Sequence, residues 1–292
     1  MTFSGHTARK RFGQHWLINE RVLDRIVEAA ELQDGDRVLE VGPGRGALTD
    51  RLLASAAAAI HAVELDLDLV AGLEQTFASH PKFSLQQGDV LSVPLELADG
   101  EPADKVVANI PYNITGPLLD RLIGRLDRPV KPSYQRLVLL VQHEVAQRIR
   151  ARPGHSNFSA LSVRMQLLGR CSHICPVPPR CFQPPPKVQS EVICIDPFPS
   201  ELRPTAALAR GVERLLKMAF LSRRKMLRNT LAPICSPDHL QALAEAAGIS
   251  LQQRPQDVAP EAWVALAKGL NQFDSAALSD DCHRSRHRSR QN

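Results

Sequence analysis

Between residues 37 and 141 the apolar positions fall into short runs of strand length, separated by stretches that repeat every three to four residues. Arg37-Val38-Leu39, Ile60 to Glu64, Phe83 to Gln87, Lys105 to Ala108 and Arg136 to Val141 read as strands. Ala47 to Leu53, Leu67 to Phe77, Leu118 to Leu126 and His143 to about Arg150 have helical spacing. Ahead of them, Asn19 is placed to cap a helix carrying Val22, Leu23, Ile26, Val27 and Ala30 on one face and stopping around residues 33–36. Strands alternating with helices predict an α/β fold, a doubly wound parallel sheet with both faces covered. Lys187 to Ile195 reads as a last strand, and Pro197 and Pro199 mark a boundary. From Thr205 on only helical spacing remains, at Val212-Leu215-Leu216, Leu240-Leu243-Ala244-Ala247 and Ala262-Val264-Leu266-Leu270. The expected organisation is an α/β domain over 1–199, a smaller all-helical domain over 200–274, and a basic tail over 275–292 that lacks apolar periodicity and reads as disordered.

The strand at 37–39 runs into Glu40 to Thr49, EVGPGRGALT, and so into a helix. Gly42, Gly44 and Gly46 therefore sit on a strand-to-helix turn, where glycine allows a sharp turn and close approach of a ligand to the backbone. The helix start adds free N–H groups and a positive dipole end. This turn alone fits a dinucleotide as well as S-adenosylmethionine, and it could be purely structural; Glu64, 20 residues beyond Gly44, stands where the dinucleotide fingerprint expects a ribose-binding acid. In open α/β sheets ligands bind outside the carboxyl ends of the strands, which is where Glu64, Asp89 and Asn109 are expected.

Composition narrows the setting. A hydrophobic content of 43% is enough for a real core in 292 residues, and no run approaches the roughly 20 apolar residues that span a membrane. The N-terminal stretch lacks the apolar core of a secretory signal, so the protein reads as cytoplasmic, and no membrane partner is expected. Cys171, His173, Cys175 and Cys181 cluster, but without paired C-x-x-C arms and among prolines; they read as reduced, partly buried thiols, with no metal expected. Residues 1–199 hold 22 basic and 22 acidic side chains, whereas 200–292 hold 14 and 9, so the whole net charge of +5 lies in the last third. A basic appendage on a neutral cofactor domain points to a polyanionic partner, the plain alternative being a solvated helical face.

Asn109-Ile110-Pro111-Tyr112, directly after a strand, separates the cofactor alternatives. The tetrapeptide has the layout for methylating an exocyclic amine on a base. The N6 lone pair of adenine is delocalised into its ring, so the nitrogen is a poor nucleophile. The Asn109 side-chain oxygen can accept one N–H and the Ile110 carbonyl the other, favouring a pyramidal nitrogen whose lone pair points at a methyl donor. Pro111 stiffens the turn and holds Ile110 extended, and Tyr112 offers a face for base stacking. A dehydrogenase would give these four residues no role; read alone, they also fit a capped loop with a buried tyrosine.

Seven motifs in order, FGQHWL (12–17), EVGPGRGALT (40–49), VELD (63–66), GDVL (88–91), NIPYNI (109–114), FQPPPKVQS (182–190) and AFLSRRKMLRN (219–229), give a chain that resembles the ribosomal RNA adenine dimethyltransferases of the KsgA type over nearly its full length. The resemblance implies a Rossmann-like class I methyltransferase sheet with a helical C-terminal domain, and S-adenosylmethionine as cofactor. It implies cofactor contacts at His15, Leu17, Gly42, Glu64, Asp89 and Asn109, with Glu64 on the ribose hydroxyls and Asp89 on the adenine amine. The family often has Asn-Phe where this chain has His15-Trp16. Asn109, Ile110, Pro111 and Tyr112 would position the target base, with Phe182 as a second stacking residue facing Tyr112. Arg223, Arg224, Lys225 and Arg228 would grip phosphates of 16S rRNA, within the small ribosomal subunit or its precursor, the enzyme acting as a monomer. The related 23S rRNA methyltransferases share the catalytic motif, and a non-catalytic assembly factor on the same fold is a further alternative; FGQHWL and LSRRKMLRN favour the KsgA type.

Overall fold

The computed structural model describes residues 14–97, 99–130 and 134–272; Arg9 to Gly13 and the basic tail at 275–292 lie outside the described residues. Seven strands make one sheet: β1 (Arg37–Val41), β2 (Ala59–Glu64), β3 (Phe83–Gln87), β4 (Lys105–Asn109), β5 (Arg136–Gln142), β6 (Gly169–Val177) and β7 (Ser190–Pro197). Their spatial order is β3-β2-β1-β4-β5-β7-β6. The first five are mutually parallel, and β7 runs antiparallel to both of its neighbours. The reversal follows from connectivity, because β6 and β7 are joined by the proline-dense loop at 178–189 rather than by a crossover helix. β1, β4 and β5 are buried along nearly their whole length, as strands covered on both faces must be.

Helix α1 (Glu20–Ala30) starts where the Asn19 side chain accepts from the Val22 N–H at 3.1 Å, and ends at Glu31 with φ 48°. Its buried stripe of Val22, Leu23, Ile26 and Ala30 packs against the sheet, in one core with Val38, Val107, Val138 and Val192. α2 (Ala47–Leu53) and α3 (Leu67–Phe77) follow the glycine turn and an Asp66 cap. α4 is Thr115–Leu122, not residues 118–126: the chain enters it directly from a 3-10 turn at Tyr112–Ile114 and leaves it at Gly124, whose φ of 86° suits glycine. At the opposite ends of the strands from the glycine turn, Lys105 pairs with Asp36 at 2.7 Å, and Arg136 sits between Glu31 at 2.6 Å and Asp196 at 2.8 Å.

Two compact units emerge. The first holds the residues up to 124 together with 129–147 and 169–197; the second holds 125–128, 148–168 and the residues from 198 on. A single cut at 199/200 does not reproduce this division, because the end of α5 (His143–Arg150) and all of α6 (Ala160–Leu168) group with the helical part. The second unit adds α7 (Ala206–Phe220), α8 (Leu227–Thr230), α9 (Pro237–Ala246) and α10 (260–272). Its core centres on fully buried Trp263, with the Phe220 ring 6.2 Å away. Glu213, on the inward side of α7, is held in a two-pronged ion pair by Arg164, at 2.8–3.0 Å. Among the described residues, no helix is long and apolar enough to cross a membrane.

Candidate active site

The three glycines of EVGPGRGALT all have positive φ, at 68°, 61° and 79°, and lead from β1 into α2. At Gly44 a Cβ would lie 2.9 Å from Cδ1 of Trp16, so the indole closes on bare backbone. Trp16-Leu17 pairs antiparallel with Phe182-Gln183, which fixes residues 16 and 17 beside the turn. The guanidinium of Arg45 lies 3.8 Å over the Trp16 ring. Two clefts meet here, sharing Trp16, Gly42, Gly44 and Asn109 as lining.

Glu64 ends β2 at the rim of the first cleft. Its carboxylate is buried and accepts from the backbone N–H of Gly44 at 3.2 Å and of Asp66 at 2.9 Å. Burial raises its carboxyl above the ordinary range, while the backbone donors at Asp66, Gly44 and Leu65 oppose the shift. A carboxylate with two oxygens and several acceptor directions has capacity beyond these bonds, as binding a pair of hydroxyls requires.

Asn109 ends β4. Its Nδ2 donates to the His15 carbonyl at 3.1 Å, which turns Oδ1 away from that carbonyl and leaves it as an acceptor. Ile110 is buried and donates its N–H to Leu140 at 3.2 Å. Pro111 has φ −57° and ψ 131°, holding the turn that presents Tyr112. The imidazole of His15 stacks on Tyr112 with ring centroids 5.6 Å apart, and its Nδ1 donates to the Pro184 carbonyl at 2.8 Å. Burial raises the Tyr112 phenol above 10, and its hydroxyl bonds that of Ser190.

The structure thus brings His15, Gly42, Glu64, Asn109, Ile110, Pro111 and Tyr112 into one cleft, with Leu17 in the adjoining one. Two expected residues do not line these clefts. Asp89 is exposed beyond the end of β3, where its Oδ1 caps its own turn by accepting from the Leu91 N–H at 2.9 Å. Phe182 is 3% exposed and packs in the core with Leu17, Val177 and Cys181, because its pairing with Leu17 draws it inward. The ring lying on Tyr112 is that of His15 rather than Phe182. Sequence reasoning missed Gln14, whose amide donates to Asp66 at 2.8 Å, and Leu65. Leu65 lines the cleft while 44% exposed, and the signal for it was an apolar residue directly after the strand-end acid.

Among the described residues, no cluster of His, Cys, Asp or Glu could hold a metal ion. His173 pairs with Glu191 at 2.7 Å, and Cys171, Cys175 and Cys181 are in no disulfide.

One buried acid lies under the turn. Glu40 is fully buried, accepts from the Thr49 hydroxyl at 2.8 Å, and has a second oxygen with no partner. Burial pushes its carboxyl up to about 8, with the charge of Glu64 adding to the rise. The folded chain therefore keeps this proton at pH 6 and the unfolded chain does not, so stability falls as pH rises from about 4.5 to about 8. Glu40→Gln keeps an acceptor for Thr49 and removes the titration. Between pH 6 and pH 8 wild type should lose about 2 kcal/mol more unfolding free energy than the variant. Urea melts at the two pH values check this; equal losses would mean that Glu40 does not carry the proton.

In the second unit, Nη2 of Arg223 donates to the carbonyls of Ser156 and Phe158, so this guanidinium ties a loop rather than standing open. Arg224, Lys225 and Arg228 are exposed, and on α7 the exposed positions Arg210, Arg214 and Lys217 continue the basic character on a helical repeat.

A model of the family described as ribosomal RNA adenine dimethylase matches residues 5–272. Ribosomal RNA small subunit methyltransferase A of Synechococcus sp. (strain CC9311) is 92% identical over 277 residues, covering 95% of this chain and all of the relative. The protein of that name from Prochlorococcus marinus (strain MIT 9313) is 69% identical, over 94% of this chain and 98% of its own. A crystal structure of a dimethyladenosine transferase from Plasmodium falciparum superposes with a TM-score of 0.75 at 25% identity, covering 88% of this chain and 98% of that one. The 23S rRNA methyltransferase ErmE superposes with a TM-score of 0.69 at 28% identity, covering 88% and 99%.

Proposed function

The chain belongs to the ribosomal RNA adenine dimethylase family, and from that premise we propose that it uses S-adenosylmethionine to dimethylate N6 of two adjacent adenosines in a loop near the 3′ end of 16S rRNA, during small-subunit biogenesis. The observation that carries the reading is the orientation of Asn109: with Nδ2 held by the His15 carbonyl, Oδ1 is left to accept an amine N–H at the carboxyl end of β4. The small-subunit substrate is favoured over the large by the 92% identical relative named for that subunit.

The donor, when bound, supplies an electrophilic methyl on a sulfonium. The residues present fit it: a turn whose glycines at 42, 44 and 46 all have positive φ, with Gly42 and Gly44 lining the cleft as bare backbone, and a buried carboxylate at Glu64 with acceptor capacity for ribose hydroxyls. In the first transfer Asn109 Oδ1 and the Ile110 carbonyl would each take one N6–H, and in the second one of them would take the N–H that remains, keeping the nitrogen lone pair out of conjugation and aimed along the displacement axis; each transfer releases one N6 proton to solvent. Tyr112 would fix the plane of the base by stacking. No side chain forms a covalent bond to substrate, so the rate comes from positioning. The first compact unit would hold this chemistry, and the helical residues at 200–274 would hold RNA phosphates, in a cytoplasmic monomer.

The direct test incubates the protein with unmodified small and large ribosomal subunits and labelled S-adenosylmethionine, and maps the labelled nucleotides. Two adjacent N6,N6-dimethyladenosines in 16S rRNA are expected; label confined to 23S rRNA would overturn the substrate. Changing Arg224, Lys225 and Arg228 together to alanine should weaken RNA binding. It should also reduce the slope of log affinity against log salt by up to about 0.7–0.9 per lost phosphate contact, with donor binding unchanged. An unaltered slope would make these three residues a solvated face.

A further inference from the structure

Ser190 opens β7, where it pairs with Gln142 of β5 on one side and Val177 of β6 on the other. A strand held by ladders on both edges is a rigid mount. The serine is 1% exposed, so its hydroxyl must find a partner inside the protein. That partner is the phenol of Tyr112, 78 residues earlier in the chain, at an oxygen–oxygen distance of 2.5 Å. The other end of the tyrosine is fixed by the Pro111 turn, and one face of its ring carries the His15 imidazole. A phenylalanine would stack on a base equally well. The phenol oxygen therefore has another task, and the structure shows it anchored to the sheet.

We infer that Ser190 is a positioning residue for methyl transfer: its hydroxyl holds the Tyr112 phenol, so that the ring is clamped at both ends and sets the plane in which the target base stacks. The inference rests on the reading of Tyr112 as the stacking platform. It assigns Ser190 no contact with substrate or donor. A base whose plane tilts carries N6 away from Asn109 Oδ1, and small displacements of a reacting atom cost rate steeply. Loss of the clamp thus lowers the rate of the chemical step rather than the affinity for donor or RNA.

The test is a cycle of four proteins: wild type, Ser190→Ala, Tyr112→Phe and the double variant. Each is assayed for single-turnover methyl transfer to unmodified small subunits at saturating donor and RNA, with donor Kd and Tm measured alongside. Each single variant should lose about tenfold in rate with donor Kd within twofold of wild type, and the double variant should be no slower than either, because both remove the same bond. Ser190→Thr keeps the hydroxyl and should recover most of the rate. A Ser190→Ala rate within twofold of wild type, or losses that multiply to about a hundredfold in the double variant, would overturn the inference.

A second readout is independent of activity. The chain has two tyrosines, so Tyr134→Phe leaves Tyr112 alone in an ultraviolet titration. The Ser190 bond favours the ionised phenol against burial, so adding Ser190→Ala should move the Tyr112 midpoint upward; an unmoved midpoint overturns the clamp. A wild type that methylates no rRNA would instead overturn the functional reading, while the titration would still report on the bond.

Discussion

Asn109→Ala should lower the single-turnover rate of methyl transfer by about 10²–10³. The variant removes the side-chain acceptor proposed to align the amine and keeps only the Ile110 carbonyl, and it does not touch the phosphate contacts expected to supply most RNA affinity. Asn109 also donates to the His15 carbonyl, so some loss of donor affinity accompanies the change. The rate is therefore read at saturating donor and RNA. Asn109→Asp separates the two effects: it keeps an acceptor oxygen but sets a carboxylate against the His15 carbonyl, and it should weaken donor binding more than alanine does. An alanine variant within a few-fold of wild type would make Asn109 a structural cap and remove the basis of the proposed chemistry.

Glu64→Ala should raise the Kd for S-adenosylmethionine by about 10- to 100-fold, from the loss of charge-assisted bonds worth roughly 1.5–3 kcal/mol. The same carboxyl predicts a pH effect of defined sign. Hydroxyl donors bind the ionised form, and burial places this acid above the ordinary range. Affinity in wild type should therefore fall with decreasing pH earlier than an exposed glutamate would dictate, and the fall should be absent in Glu64→Gln. Calorimetry at several pH values reads both. Wild-type affinity in the alanine variant would remove Glu64 from the site.

How much of this was legible in the sequence depended on how far apart the cooperating residues lie. α1 was legible because Asn19 and its apolar stripe are local, and the glycine turn because glycine spacing encodes backbone geometry directly. The chemistry of Asn109 to Tyr112 was legible because four consecutive residues carry it. Strand β6 was missed: it lies at an open edge of the sheet, most of its residues are only partly covered, and Pro176 interrupts any alternation. Phe182 was misjudged because a motif records that an aromatic is present and not which way it faces; the direction comes from its pairing with Leu17. Ser190 lay inside the quoted motif FQPPPKVQS, yet its partner is 78 residues away, and nothing local marks the pair.

The short ladder between Trp16-Leu17 and Phe182-Gln183 also constrains when the site can exist. His15 and its acceptor at Pro184 are 169 residues apart. A ribosome adding about 5–20 residues per second needs roughly 8–35 seconds to cover that distance. Through this interval the nascent chain carries the glycine turn, and later Asn109, without the segment that closes them against Trp16. Contacts of such sequence separation form late and slowly. A newly made enzyme of ribosome maturation thus passes much of its own synthesis with its catalytic cleft unassembled, and acquires that cleft only when the strand bearing Ser190 is in place.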